Sequence, residues 1–392
     1  MSGPLYLAWR YLLYHRVKTA ILVTSIMLIV FLPVGLNVLV GQSAGELTAR
    51  AEATPLLVGA RGSALELVLS SLYFESDAPE TTSYVQVTRM AQSGFAEPIP
   101  LYVRFHVRKH PIVGTTLEYF DFRGLRLAAG RRLAVLGECV VGARAAEKLS
   151  VAPGDSVVSS PESVFDLAGV YPLKLRVVGV LAASHSPDDL AIFVDLKTAW
   201  IIQGFGHGHQ DLTSPGANAA LLSREGGRIV ANASVVQYNE ITQANIDSFH
   251  FHGDLADYPV TAVIAVPHDE KSRILLMGRY EAPDESQQIV RPSAVMNDLL
   301  STILTVQSYV VAAILMVAVA TLATAALVFM LSLRLRRGEI ETMIKIGGSR
   351  RSVAAVLTSE VVVVLALGVV LAGGLTLVTS RFGSAAIRAL LL

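Results

Sequence analysis

Apolar positions along the chain gather into three blocks. Residues 19–45, 299–333 and 361–380 carry no Asp, Glu, Lys or Arg. About 20 apolar residues cross a bilayer core, and none of the three blocks has the polar stripe of a soluble helix. The pattern predicts transmembrane helices over 18–42, 299–333 and 353–380. The first block follows a basic start (Arg10, Arg16, Lys18), as a secretion signal does, but its apolar run exceeds the roughly 7–15 residues of a signal core. It reads as a retained helix, with Pro33 and Gly35 marking a kink. Ahead of it, residues 1–17 place Tyr6, Leu7, Trp9, Leu12 and Leu13 beside Arg10 and Arg16, the pattern of an amphipathic helix lying in the membrane interface.

Between the first and second blocks the hydrophobic period switches repeatedly. Alternation over 83–88, 101–107, 173–181 and 191–194, and the run 259–266, predict strands. Residues 143–149 and 269–280 predict helices, the first closed by a turn at Pro153–Gly154–Asp155. The Gly-rich polar stretch 204–216 reads as an exposed loop. Residues 43–297 are therefore expected to form an α+β domain of two lobes. The fold class predicted is an α-helical transmembrane bundle of three spans with this large extracytoplasmic domain between spans 1 and 2.

Charge sets the orientation. Arg10, Arg16 and Lys18 before span 1, and Arg334, Arg336, Arg337, Lys345, Arg350 and Arg351 in the 334–352 loop, place both segments in the cytoplasm. The 43–297 domain, more acidic than basic, then lies outside, with 381–392 as a short outer tail. That tail is too short for a fourth crossing. Composition agrees with a membrane protein: 52% hydrophobic and 16% charged residues, with zero formal net charge, where soluble domains average about 25% charged. Neutrality argues against a nucleic-acid partner. The single cysteine, Cys139, excludes an intrachain disulfide and a thiolate zinc cage, and reads as a buried small side chain. No GxxxxGK[ST] or HExxH pattern occurs, so ATP hydrolysis through a phosphate loop is not expected here. The adjacent acids Asp188–Asp189 and Asp269–Glu270 read as solvated loop charges.

The 334–352 loop carries the most specific signal. Ile340, Met343 and Ile344 share one face of a short helix, Glu341 and Lys345 sit at i,i+4, and Gly347–Gly348 supplies a stop. Read plainly, it holds positive charge inside; read functionally, it docks an apolar face into a groove of a soluble partner. The segment resembles the R-x-x-E-I-x-x-[LM]-x-x-[IL]-G-[AG]-[ST] signature of MacB/FtsX-type ABC transporter permeases. Residues 120–131, 140–157, 175–181 and 192–196 resemble, in order, segments of the outer domain of that family. Residues 59–73 resemble a segment of a MacB-like branch associated with metal-linked operons; the plain reading there is a Gly turn and a core helix. The resemblance implies a dimeric permease in a bacterial inner membrane, a separate ABC ATPase subunit that carries the ATP, and transmission of ATP-driven motion to the outer domain, in metal-linked export or extraction. It makes Glu339, Ile340, Met343, Ile344 and Gly347 the ATPase-docking residues. The alternative within the family is a non-transporting, FtsX-like regulator of an outer enzyme such as a cell-wall hydrolase. The family commonly has four spans, from which three depart.

Two further features stand out. His207, His209 and Asp211, and again His250, His252 and Asp254, repeat His-x-His-x-Asp. On a strand, i and i+2 share a face, so each copy could present two imidazoles and a carboxylate to zinc, with His106 and His110 in reserve; the alternative is exposed loop histidines. Glu360 lies in span 3, where an acid must pair near the cytoplasmic end or face the bundle interior.

Overall fold

The computed structural model describes residues 3–75, 80–160, 172–209, 221–225, 228–231, 238–282 and 285–391. In chain order the helices are α1 (Gly3–Tyr14), α2 (Arg16–Glu52), α3 (Ala64–Val68), α4 (Val85–Ser93), α5 (Leu117–Phe122), α6 (Ala143–Leu149), α7 (Leu196–Gln203), α8 (Glu270–Tyr280), α9 (Pro292–Leu335), α10 (Arg337–Lys345) and α11 (Arg350–Leu391). The strands are β1 (Leu56–Ala60), β2 (Thr82–Ser83), β3 (Ala96–Val107), β4 (His110–Thr115), β5 (Leu127–Gly130), β6 (Glu138–Val141), β7 (Ser156–Val158), β8 (Lys174–Leu181), β9 (Ile192–Asp195), β10 (Gly206–Gly208), β11 (Leu221–Glu225), β12 (Arg228–Ala231), β13 (Phe249–Phe251), β14 (Pro259–Val260), β15 (Ala262–Pro267) and β16 (Gln287–Val290). The chain divides into two units: residues 1–48 with 297–392, and residues 49–296.

The first unit is all helix. α2, α9 and α11 each contain a segment long and apolar enough to cross a membrane. In a bilayer each backbone N–H and C=O must be satisfied within the segment, which a helix does. Pro33 lies inside α2, which continues through it as one helix. α2 and α11 approach closely at Gly368, where a Cβ would lie 2.6 Å from Ile26; small residues of this kind allow membrane helices to pack. Leu12, Leu22, Val23, Ile26 and Val364 form the apolar contact, with Phe329 of α9 against it. Lys18 donates to the Ser332 hydroxyl (2.6 Å) and Gln42 to the Ser380 carbonyl (2.7 Å). α11 runs on through the expected outer tail as helix.

In place of two separate lobes, the second unit has one ten-stranded sheet, ordered β16-β1-β15-β3-β4-β9-β6-β8-β5 with β7 on β8. The long β3 joins the halves, pairing β15 along one edge and β4 along the other, with a register shift between Val103 and Phe105. A single buried core covers both halves, from Leu56 and Val263 to Cys139, Val177 and Val194. The expected strands at 101–107, 173–181, 191–194 and 259–266 and the helices at 143–149 and 269–280 are present, the last capped by Asp269 on the Ser272 amide. The stretch 83–88 differs: only Thr82–Ser83 is strand and α4 follows. Gln86, Val87 and Met90 are buried, a helical spacing, and Gly94 ends the helix at φ 67°. Six residues of alternation were too few to separate the two periods.

Asp188 and Asp189 are buried, against the expectation of solvated charges. Arg50 donates to both Asp188 oxygens (2.6 and 2.9 Å), and the Tyr119 hydroxyl donates to Oδ1 (2.7 Å). Burial opposes ionisation of Asp188, but the Arg50 charge and these hydrogen bonds outweigh it and hold the carboxyl below its ordinary value. Asp189 accepts from the Ser184 and His185 amides and the Ser184 hydroxyl. Gly142 is needed here, since a Cβ would lie 2.3 Å from the Asp188 carbonyl oxygen. Cys139 is buried on β6, and burial pushes its thiol up.

Glu138 is also buried, and it accepts from Arg131, Arg176 and the Ala134 and Val135 amides. Burial raises its pKa, and these donors reverse that, leaving it at about 2. A carboxylate with a depressed folded-state pKa stabilises the fold above its unfolded value, and the contribution disappears as pH falls through the folded value. Glu138→Gln should therefore cost about 1.5–3 kcal/mol at pH 7. In denaturant unfolding of the purified chain, the gap from wild type should hold down to the ordinary carboxyl pKa of 4.5 and narrow between there and about 2.

Candidate functional site

The short helix α10 lies between α9 and α11 and ends where Gly347 adopts φ 99°. The Gly348 amide bonds back to the Met343 carbonyl (3.0 Å), a left-handed termination that glycine makes without strain. Gly347 therefore shapes the turn that bounds α10. Ile340 and Met343 are half-buried and Glu339 is exposed. Ile344 is 42% exposed, and Ile346 just beyond the helix is 81% exposed. Two apolar side chains at this end thus have no cover within their own unit. No ion pair joins Glu341 to Lys345 among the described residues.

Arg336, at the α9–α10 junction, was not singled out in the sequence. It binds Glu339 (3.0 Å) and Glu360 (3.0 Å), and its guanidinium lies 3.6 Å from the Tyr11 ring centroid. The R-x-x-E spacing was the available signal for the first contact. Glu360 is buried beside this pair, which answers the need of an acid in an apolar helix for a partner. Glu339, expected as a docking contact, is exposed and held by Arg336.

In the second unit, β10 and β13 pair antiparallel with His207 directly opposite His250. Part of the expected 204–216 loop is thus strand; its residues from 210 onward, with Asp211, lie outside the described residues. The two His-x-His runs meet. Ring centroids are 4.8 Å apart for His207–His250, 4.9 Å for His207–His252, 5.1 Å for His209–His250 and 4.8 Å for His250–His252. Available ligand atoms of His207, His209 and His250 all lie within 4.8 Å of one another. Burial, then the neighbouring imidazoles, lower the pKa of His207 and favour its neutral form. The His250 Nδ1 faces the Ser248 carbonyl at 3.1 Å. Asp254 does not join; its carboxylate caps the following turn at the Ala256 amide (2.9 Å). His110 turns instead to the Leu190 carbonyl (3.0 Å), and neither it nor His106 belongs to the group of possible ligands among the described residues.

The chain thus combines three helices long and apolar enough to cross a membrane with a mixed-sheet unit of residues 49–296. The sequence profile of the MacB-like periplasmic core domain matches residues 20–239, more than half of the chain. The chain belongs to this family, and is a MacB/FtsX-type ABC transporter permease. Among solved structures, the periplasmic region of MacB from Actinobacillus actinomycetemcomitans is similar at 13% identity, covering 66% of this chain and 98% of that one with a TM-score of 0.35. The extracellular domain of the noncanonic ABC-type transporter YknZ from Gram-positive bacteria is similar at 13% identity, covering 60% and 98% with a TM-score of 0.31. No curated protein matches the chain.

The ion pairs around Arg336 differ in depth. The Glu360 side chain is 7% exposed and that of Glu339 is 64% exposed. Removing one partner of a buried pair costs about 3–5 kcal/mol, whereas an exposed pair contributes about 0–1 kcal/mol. Glu360→Ala should lower the thermal unfolding midpoint of the detergent-solubilised chain by several degrees, and Glu339→Ala should leave it nearly unchanged.

Proposed function

We propose that this chain is the permease subunit of an ABC complex that carries ATP-driven motion across a bacterial inner membrane to its outer domain. The observation that carries the reading is α10 with its uncovered apolar end. A nine-residue amphipathic helix sits between two candidate spans, and Ile344 and Ile346 are exposed. In water this exposure has no return; in the groove of a soluble subunit it would contribute about 25 cal/mol per Å² buried.

The site residues divide by role. Ile340, Met343 and Ile344 form the face that enters a separate ATPase subunit. Glu339 is the polar contact at the rim and Arg336 holds it in place. Gly347 sets the angle at which the helix joins α11. ATP closes the two ATPase subunits, α10 moves with them, and the attached helices pass the displacement outward. This chain hydrolyses no ATP itself. The basic residues flanking α10 and preceding α2 support a cytoplasmic position for both, which puts residues 49–296 outside. A second copy of the chain completes the membrane assembly.

A single outer domain between spans would also suit a sensor, and docking at α10 separates that case. Gentle solubilisation of the tagged chain from its own membranes should recover an ABC-type ATPase. Met343→Glu, which places a charge on the docking face, should lower recovery at least tenfold while the chain remains folded and membrane-inserted. Recovery of no ATPase with the intact chain, or equal recovery with Met343→Glu, would overturn the reading.

A further inference from the structure

The β10–β13 ribbon is two-faced. Its strands read Gly206-His207-Gly208 and Phe249-His250-Phe251, paired Gly206 to Phe251, His207 to His250 and Gly208 to Phe249. On the inner face a Cβ at Gly206 would lie 2.8 Å from the Phe251 ring, and one at Gly208 would lie 2.5 Å from the Phe249 ring. The glycines thus leave room for the two rings, which pack against the main core. Tyr258 locks the ribbon from below: its hydroxyl donates to the His252 carbonyl at 2.7 Å, and its ring lies 4.9 Å from that of Phe205. Trp200 backs Tyr258 at 5.1 Å. The other face carries four imidazoles close to one another. Strand alternation puts His207 with His209 and His250 with His252 on one side, and the register brings the two pairs together.

Hydrophobic burial does not explain this face, because it is half open to solvent. Four imidazoles on a rigid two-stranded platform instead meet what a borderline divalent metal requires. Zinc takes imidazole nitrogens at about 2.0–2.1 Å in tetrahedral geometry, and imidazole-only sets favour zinc, copper or nickel over magnesium or calcium. The three ligand atoms lie within 4.8 Å of one another, close enough for side-chain rotation to draw them toward one ion. The Ser248 carbonyl, at the Nδ1 of His250, fixes its tautomer with Nδ1–H donating and Nε2 free to bind, the outer-sphere contact typical of metal-ligating histidines.

We infer that the outer unit carries a transition-metal site in which His207, His209 and His250 ligate a divalent ion of the zinc class and His252, at the solvent edge, supplies the fourth position. Asp254, engaged as a turn cap, is not a ligand. A three-histidine set closed by an exposed fourth gives a site that can take up and release its ion from outside. The metal is then either a regulator of the outer domain or the cargo it handles. The site stands on the ribbon geometry and does not depend on ATPase docking.

The test uses the full chain in detergent, purified through a tag without histidine and stripped with a chelator. Equilibrium dialysis against Zn²⁺ should show one ion per chain at micromolar or lower free metal. Co²⁺ in its place should give the intense visible absorption of a tetrahedral complex, and zinc should bleach it. His207→Ala and His250→Ala should each weaken binding at least 100-fold, and His252→Ala less. His185→Ala and His268→Ala, which alter outer histidines elsewhere, should bind as wild type. Circular dichroism of each variant without metal separates lost ligation from lost fold. Absence of stoichiometric Zn²⁺ binding by the wild type, or wild-type affinity in the folded His207→Ala and His250→Ala variants, would overturn the inference.

Discussion

A polar group removed from water must find a partner or cost several kcal/mol, and this constraint shapes both units of the chain. In the helical unit it permits only segments that satisfy their own backbone, which is why α2, α9 and α11 are long uninterrupted helices. It also explains why Glu360 does not stand alone: Arg336 reaches it, and Tyr11 covers the guanidinium. In the outer unit the same rule draws Arg50, Tyr119 and Asp188 into one buried set. Removing one member would leave a charge stranded among apolar side chains, at a cost of about 3–5 kcal/mol.

These networks also bear on function. Under the proposed function, a helix that carries displacement would have to be held at its ends. Arg50 lies in the last turn of α2, within the outer unit, and is clamped to Asp188 of the turn that Gly142 closely approaches. Arg336 lies where α9 gives way to α10. Both are ion-paired arginines at helix ends, and both resist rotation of the segment that bears them. α10 itself is lightly covered, and Ile344 and Ile346 at its end are exposed.

Much of this was legible in the chain. The three helices long and apolar enough to cross a membrane follow from uncharged length, and α6, α8, β8 and β9 from short-range period and turn residues. The coupling-loop signature pointed to α10, including the Gly347 stop. What was missed depends on distant partners. Asp188 looks like a surface loop acid until Arg50, 138 positions away, is brought to it. Arg336 was one of several basic residues in a loop, and its reach to Glu360 depends on how α9 and α11 pack. The two lobes expected from length are halves of one sheet because β3 is long enough to serve both. The histidine runs were visible as a repeat with a shared face, but nothing local to 207–209 shows that it pairs with 250–252. The carboxylates assigned to the repeat illustrate the limit of spacing: Asp254 fits the pattern and yet caps a turn.

The central claim is that ATP binding in a separate subunit changes the outer domain through this chain. Hydrogen–deuterium exchange on the purified complex, compared between nucleotide-free and ATP-trapped states, tests it directly. Changed protection in residues 49–296 on trapping, abolished by Met343→Glu, is the predicted result. An outer domain whose exchange is identical in both states, in a complex that binds and hydrolyses ATP, would contradict the account.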